Sequence, residues 1–290
     1  ELLRQARTAL SAALENKRPW QTYSAAVEPD PRSIVLLRDF WRLDGEGFQA
    51  HFQPQIDLQR DRVVGAEALV RWAHPELGML SPGEFIPILE KSGVIHRVTE
   101  WMIDAAVAFT VARRREGVPL SVAVNVAAHD LLEHDVVAVA RGALHRHGGE
   151  ARDLRLEVTE SGLITEPGRV RQVLQRLRGL GIRCEVDDFG TGYSSLSYLS
   201  DFPVHAVKIE RRFVGSMTDQ HRNRAIVRST IDLAHELDMA VVAEGAEDEA
   251  TIDLLRRCGC DYAQGFVYAA ALPAAAFRRF VHERAPGQEV

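Results

Sequence analysis

Cysteine is scarce in this sequence: 290 residues hold three, Cys184, Cys258 and Cys260. So small and odd a number excludes a disulfide framework, and no Cys/His spacing matches a zinc site. The thiols are expected to be reduced and partly buried, in a cytosolic setting. Long apolar runs are missing as well. None approaches the roughly eighteen residues that a membrane span requires, so no membrane contact is expected of this stretch. Nor is there a surplus of positive charge, since 35 Lys and Arg against 41 Asp and Glu leave a formal net charge of −6. That balance argues against DNA or RNA binding through a broad basic face. An anionic ligand would need metals or individually placed cations to neutralise it. An initiator methionine and a signal-peptide pattern are absent too, because the chain starts at Glu1. It therefore reads as a piece of a longer protein, which leaves upstream domains, including a membrane anchor in the full-length chain, open.

What is present is a globular composition, 46% apolar and 26% charged, long enough for one large domain or two modest ones. Apolar positions at Leu2, Leu3, Ala6, Ala9, Leu10 and Ala13 follow a helical period; "WQTYSAA" resembles a short strand, and the polar "EPDP" marks a boundary. "SIVLLRDFWRL" restarts a helix that Asp44 to Gly47 closes. From there the pattern changes to short strand-like runs: "FQAHFQPQIDL", "VVGAEALVRW", "LSVAVNVA", "LRLEVTES", "IRCEVDD", "HAVKIE", "AVVAEGA" and "CDYAQGF". Helical stretches separate most of them, at Phe85 to Lys91 with Thr99 to Arg114, Asp130 to His147, Arg169 to Leu180, Asn223 to Leu237 and Asp248 to Cys258. Strands alternating with helices predict a largely parallel sheet, and this many units in one chain predict a closed (β/α)₈ barrel of the TIM type, an α/β fold.

Polar residues recur near the ends of these runs: Glu67, Asn125, Glu157, Asp187 with Asp188, Lys208 with Glu210, Glu244, and Gln264. Strand ends emerging into water account for one or two of these. Acidic and amide groups on nearly every strand point instead to one site at the C-terminal face of a parallel barrel. Convergent carboxylates and an amide, without histidine or cysteine, make a hard-oxygen set that suits Mg²⁺ or Mn²⁺. Without cations so many carboxylates would repel one another. Two metals about 3.5–4 Å apart are a common device for in-line phosphoryl transfer, with Lys208 placing a fixed charge near the water or the phosphate.

The motifs that carry these residues resemble the EAL-domain cyclic di-GMP phosphodiesterases. "EALVRWAHPELGMLSPGEFIPILEKSG", "VNVA", "EVTES", "DDFGTGYSSLSYL", "KIERRFV", "AEGAEDE" and "GCDYAQGF" occur in the family's order from about Phe48 to Phe280. The resemblance implies a barrel with an antiparallel first strand and hydrolysis of cyclic di-GMP to linear pGpG with two Mg²⁺ or Mn²⁺ ions, Ca²⁺ being expected to inhibit. It implies metal binding by Glu67, Asn125, Glu157, Asp187 and Asp188, joined by Glu210, and a catalytic set of Lys208 and Glu244 around the attacking water together with Glu67. It places Arg71 on a substrate phosphate and Gln264 and Gln53 at the substrate site. Glu160, Glu247, Gly190, Thr191 and Gly192 fall in the group that supports the loop after the aspartates, and a homodimer through that loop region is implied. "ELLRQARTALSAALENKRPWQTY" resembles the closing helix and strand of a GGDEF domain without its cyclase signature. The expected division is residues 1–30 as that remnant and linker, and 31–290 as the EAL domain, behind further GGDEF or sensor domains.

Three departures qualify this reading. The family's usual "KID" is Lys208-Ile209-Glu210 here, and the extra methylene advances the carboxylate by about 1.5 Å. Since placement errors near 1 Å cost about a hundredfold in rate, slowed catalysis is expected. Ala246 stands where valine is usual, a mild packing change, and Ala270 and Ala271 stand where a basic residue and proline are common. The competing reading is an EAL domain that binds cyclic di-GMP as a receptor. Such domains damage the EAL glutamate or the DDFG pair, and this chain keeps both. A scaffold binding neither nucleotide nor metal is disfavoured by the intact carboxylates. His74 is expected to be structural, and His145 and His147, two apart on a helix, point in different directions. Trp20, Trp41, Trp72 and Trp101 read as core or interface packing.

Overall fold

The β-branched strand runs fold as the alternation predicts, and the computed structural model describes residues 30–190 and 199–284. Strands β1 (Phe48–Asp57) and β2 (Arg62–His74) form an antiparallel pair, Phe48 opposite Trp72 and Asp57 opposite Arg62. Parallel strands β4 (Ser121–Asn125), β5 (Leu154–Thr159), β6 (Arg183–Phe189), β7 (Ala206–Ile209), β8 (Ala240–Glu244) and β9 (Tyr262–Gln264) follow in order from β2. Strand β9 returns to β1 in antiparallel pairing and closes the ring. The result is an eight-stranded α/β barrel with its first strand reversed.

Two short strands extend this ring. β3 (Gly78–Leu80) makes a hairpin with the far end of β2, and β10 (Leu272–Pro273) pairs with β1 at His51 and Phe52. β2 thus runs past the barrel rim, so Glu67 sits in mid-strand rather than at a strand end. Its parallel pairing with β4 stops one residue later, at Ala68.

Helix α1 (Pro31–Leu43) starts where Asp30 caps the Arg32 amide ahead of a first-turn proline, and stops where Asp44 turns left-handed at φ 46°. It is followed by α2 (Pro82–Lys91) and α3 (His96–Arg115), which begin earlier than the apolar period alone suggested. The helix expected from Asp130 to His147 is two helices, α4 (Ala128–Glu133) and α5 (Val136–His147). Asp135 breaks it by accepting from the Ala138 amide as an N-cap, a local bond that competes with helix continuation. The order then runs α6 (Glu160–Thr165), α7 (Pro167–Gly179), α8 (Arg211–Val214), α9 (His221–Glu236), α10 (Glu249–Arg257) and α11 (Ala274–Glu283).

Strand residues such as Val122, Val124, Leu156, Val186, Val207 and Val241 fill the space between barrel and helices. Trp72 packs edge-on against Phe40, Phe48 and Phe85, holding α1 and α2 over the start of β1. Trp41, by contrast, is 56% exposed with the Arg97 guanidinium 5.0 Å from its ring centre, and Trp20 lies outside the described residues. His74 is structural: its Nδ1 accepts from the Glu76 and Leu77 amides, which leaves Nε2 to carry the proton facing Asp39 at 3.2 Å. Cys184 and Cys260 are buried and unpaired, and burial pushes both thiols up to about 12. Among the described residues, no helix is long and apolar enough to cross a membrane.

Candidate active site

Lys208 organises the site. It sits on β7 with no solvent exposure, and its Nζ lies 2.8 Å from Glu157, 2.7 Å from Glu244, 3.2 Å from Asp187 and 3.3 Å from Glu67. Four strands thus deliver carboxylates to one ammonium. Burial alone would lower the Lys208 pKa, but these four charges hold it well above the ordinary lysine value. The amine is therefore a permanent cation and not a base.

One cation cannot neutralise four carboxylates, and the imbalance appears in their protonation. Burial pushes the Glu157 carboxyl well above its usual range; Lys208 opposes this, and Glu67, Asp187 and Glu185 add to it. Among the described residues Glu157 Oε1 has no hydrogen-bond partner. Burial likewise raises Glu244 to about 7, against the pull of Lys208. Burial also pushes Glu67 up, but Lys208 and hydrogen bonds from Gln264 (2.6 Å) and Asn125 (2.8 Å) bring it below its ordinary value.

Adjacent residues in a strand face opposite ways, so Asp187 and Asp188 should not share a site. The structure resolves this with a register shift between Val186 and Phe189 and a left-handed backbone at Asp188, φ 54°. Aspartate tolerates that region better than most residues. Carboxylate oxygens of Asp187, Asp188 and Glu244 come within 4.8 Å of one another and could hold a metal ion. Burial, then the charges of Asp187 and Glu210, raise the Asp188 carboxyl. The donor chemistry, oxygen only and partly unneutralised, fits a hard divalent cation.

The other predicted residues divide. Gln53, opposite Glu67 in the β1–β2 pair, and Gln264, at the end of β9, line a cavity of about 200 Å³ with Glu67, Asp187 and Glu244. Arg71 lies outside that lining; its Nη1 donates to the Val70 carbonyl, and burial lowers its guanidinium pKa while Glu67 opposes the shift. Glu210 is turned toward Arg212, Nε to Oε2 2.5 Å. Glu160 Oε2 accepts from the Gly190 amide at 2.8 Å, and Glu247 lies 3.7 Å from Arg211. Thr191, Gly192, Tyr193, Ser194 and Ser195 lie outside the described residues.

Several neighbours escaped the sequence reading. Arg211 and the 62% exposed Phe266 line the same cavity. Beneath it, Gln264 accepts at Oε1 from Gln55, which accepts in turn from Arg155. Gly265 admits the close turn there, since a Cβ would stand 2.0 Å from the Ala246 carbonyl oxygen.

Fold and site together define an α/β-barrel protein with an acidic, metal-competent site at the C-terminal ends of its strands. The EAL domain family matches residues 37–271, and the chain belongs to that family. It is 35% identical over 289 residues to the signaling protein YkoW of Bacillus subtilis, covering 98% of this chain and 36% of that protein. To the cyclic di-GMP phosphodiesterase PA2567 of Pseudomonas aeruginosa it is 36% identical over 253 residues, 86% of this chain and 43% of that one. The chain thus spans less than half the length of these curated relatives. Among solved structures it resembles the PaMucR phosphodiesterase in complex with c-di-GMP, with 36% identity and a TM-score of 0.80 over 84% of this chain and 99% of that one.

Proposed function

We propose that this chain is a phosphodiesterase domain that hydrolyses cyclic di-GMP to linear pGpG. The observation that carries the reading is Lys208 buried among Glu67, Glu157, Asp187 and Glu244 with the carboxylate charge still in excess. The relatives named for this activity, and one solved with the nucleotide bound, support the choice of substrate.

Glu67, Asn125, Glu157, Asp187, Asp188 and Glu210 are the residues assigned to hold two Mg²⁺ or Mn²⁺ ions. Asn125 donates its Nδ2 to Glu67, so its amide oxygen is the atom left for a cation. Bound divalent ions supply neutralisation of the phosphate and a water acidic enough to attack at neutral pH. Lys208 Nζ keeps its proton and fixes the carboxylates around it. Glu244, which burial raises from its ordinary value to about 7, is the group assigned to take a proton as water attacks. Gln53, Arg71 and Gln264 orient the nucleotide, with Arg71 assigned to a phosphate. The water oxygen bonds to phosphorus as one phosphodiester P–O bond breaks, and the departing ribose oxygen leaves as a hydroxyl with the proton that the water gave up. Glu160 holding the Gly190 amide, with Glu247, steadies the start of the loop that continues through Thr191 and Gly192. Dimerisation through that loop, Ca²⁺ inhibition, the GGDEF remnant before residue 31 and further upstream domains complete the reading.

The test is turnover of cyclic di-GMP by the purified protein during titration with Mg²⁺ or Mn²⁺. Metal-dependent appearance of pGpG supports the hydrolase. Nucleotide binding without product would replace it with a receptor.

A further inference from the structure

The barrel interior holds three polar groups, Glu185, Arg155 and Gln55, that none of the assigned roles requires and that join the site at Gln264. Arg155 on β5 is 7% exposed and donates from Nη1 to Glu185 Oε1 at 2.7 Å and from Nη2 to Gln55 Oε1 at 2.5 Å. Gln55 on β1, 1% exposed, donates from Nε2 to Gln264 Oε1 at 2.9 Å. Gln264 then donates from Nε2 to Glu67 Oε2 at 2.6 Å and to Glu244 Oε1 at 3.1 Å. Gly65 makes room for this arrangement, because a Cβ there would stand 2.8 Å from Arg155 Nη2.

A buried ion pair such as Arg155–Glu185 is a poor way to gain stability, since desolvation cancels most of the attraction and apolar residues of the same volume commonly do as well. The pair does have one property that an apolar core lacks. A guanidinium only donates and a carboxylate only accepts. With Arg155 at one end and Glu67 and Glu244 at the other, each amide between them has one orientation that gives its oxygen a donor and its nitrogen an acceptor. Gln55 must turn its oxygen to Arg155 and its nitrogen to Gln264, and Gln264 must turn its nitrogen to the two glutamates.

We propose that Gln55 and Arg155 are positioning residues that fix the Gln264 amide, and through it the Glu67 carboxylate assigned to the cation and the Glu244 carboxylate assigned to the water's proton, in their working orientation. The assignment rests on the metal site proposed above. Neither residue touches substrate or cation; both act through Gln264. Partners of this kind behind a metal site are worth about 10–100-fold in metal affinity or activity.

The test is Mn²⁺ affinity by titration calorimetry, read with kcat, KM and the melting temperature, for Gln55→Leu, Gln55→Glu, Gln264→Leu and the Gln55→Leu/Gln264→Leu double variant. Gln55→Glu keeps a partner for Arg155 but offers Gln264 Oε1 no donor, so the amide must turn over. Both single Gln55 variants are expected to bind Mn²⁺ about tenfold or more weakly. In the Gln264→Leu background the Gln55 change should add nothing, because the path is already cut. Mn²⁺ affinity within about twofold of the parent in both Gln55 variants, or a full additive effect in the double variant, would overturn the proposal. So would loss of folding in both, which would make the chain a structural brace. If the parent fails to hydrolyse cyclic di-GMP yet shows this coupling in Mn²⁺ binding, the hydrolase reading falls and the positioning role stands.

Discussion

Replacing Lys208 by methionine tests the electrostatic logic of the site most directly. The side chain is fully buried and touches four carboxylates at 2.7–3.3 Å. At an effective dielectric near 20 each contact is worth about 5–6 kcal/mol before desolvation and mutual carboxylate repulsion are subtracted. Removing one partner of a buried charge cluster costs about 3–5 kcal/mol, because the remaining charges are left uncompensated. We therefore expect Lys208→Met, in EDTA at pH 8, to lose about 3–5 kcal/mol in urea denaturation. The loss should shrink on acidification, as the freed carboxylates protonate, and shrink again with millimolar Mn²⁺, which replaces the missing charge. Turnover should stay low even where stability recovers. A loss below about 1 kcal/mol in EDTA, with no rescue by acid or Mn²⁺, would show that the carboxylates are not ionised together and would refute the argument.

The remaining predictions follow from neighbouring contacts. Glu244 has its folded pKa raised to about 7 from an ordinary 4.5, so its contribution favours folding below pH 4.5 and is lost as pH rises through 7. Metal-free Glu244→Gln should therefore gain stability relative to the parent above pH 7, by at most about 3 kcal/mol, and match it near pH 4; an unchanged pH profile by thermal denaturation would count against this. Asp188→Gly relieves the left-handed backbone at φ 54° and should raise the metal-free melting temperature by a few degrees, about 1 kcal/mol, while sharply reducing Mn²⁺-dependent turnover. A lowered melting temperature would remove the strain argument. Glu210→Asp shortens a carboxylate now held 2.5 Å from Arg212. Its kcat should rise by up to about a hundredfold, and an unchanged or lower rate would mean that Glu210 already reaches the cation.

The barrel was legible in the sequence because each strand is a short β-branched run whose period and length admit few alternatives, and because a parallel ring sends every strand end to one face. The run "VVGAEALVRW" already carried β2 past Glu67, but pattern alone could not show that its far end pairs with β3. Nor could it show the break at Asp135, where one side-chain bond to the Ala138 amide outweighs a continuous apolar period. In the site, the carboxylates were visible by residue type, but the reason two adjacent aspartates share one face lies in a register shift and a single positive φ. Gln55, Arg155 and Glu185 did carry a signal: polar residues within runs that are otherwise apolar and destined for burial. They lie away from the C-terminal strand ends where the site residues cluster, and a charge inside a buried run is the harder thing to explain. Burying Arg155 is tolerable only with Glu185 and Gln55 in reach, and those two reside on different strands, so the grouping emerges only when the ring closes. The same closure brings Lys208 to its four carboxylates, and it makes the upper site and the chain beneath it one hydrogen-bonded unit joined at Gln264.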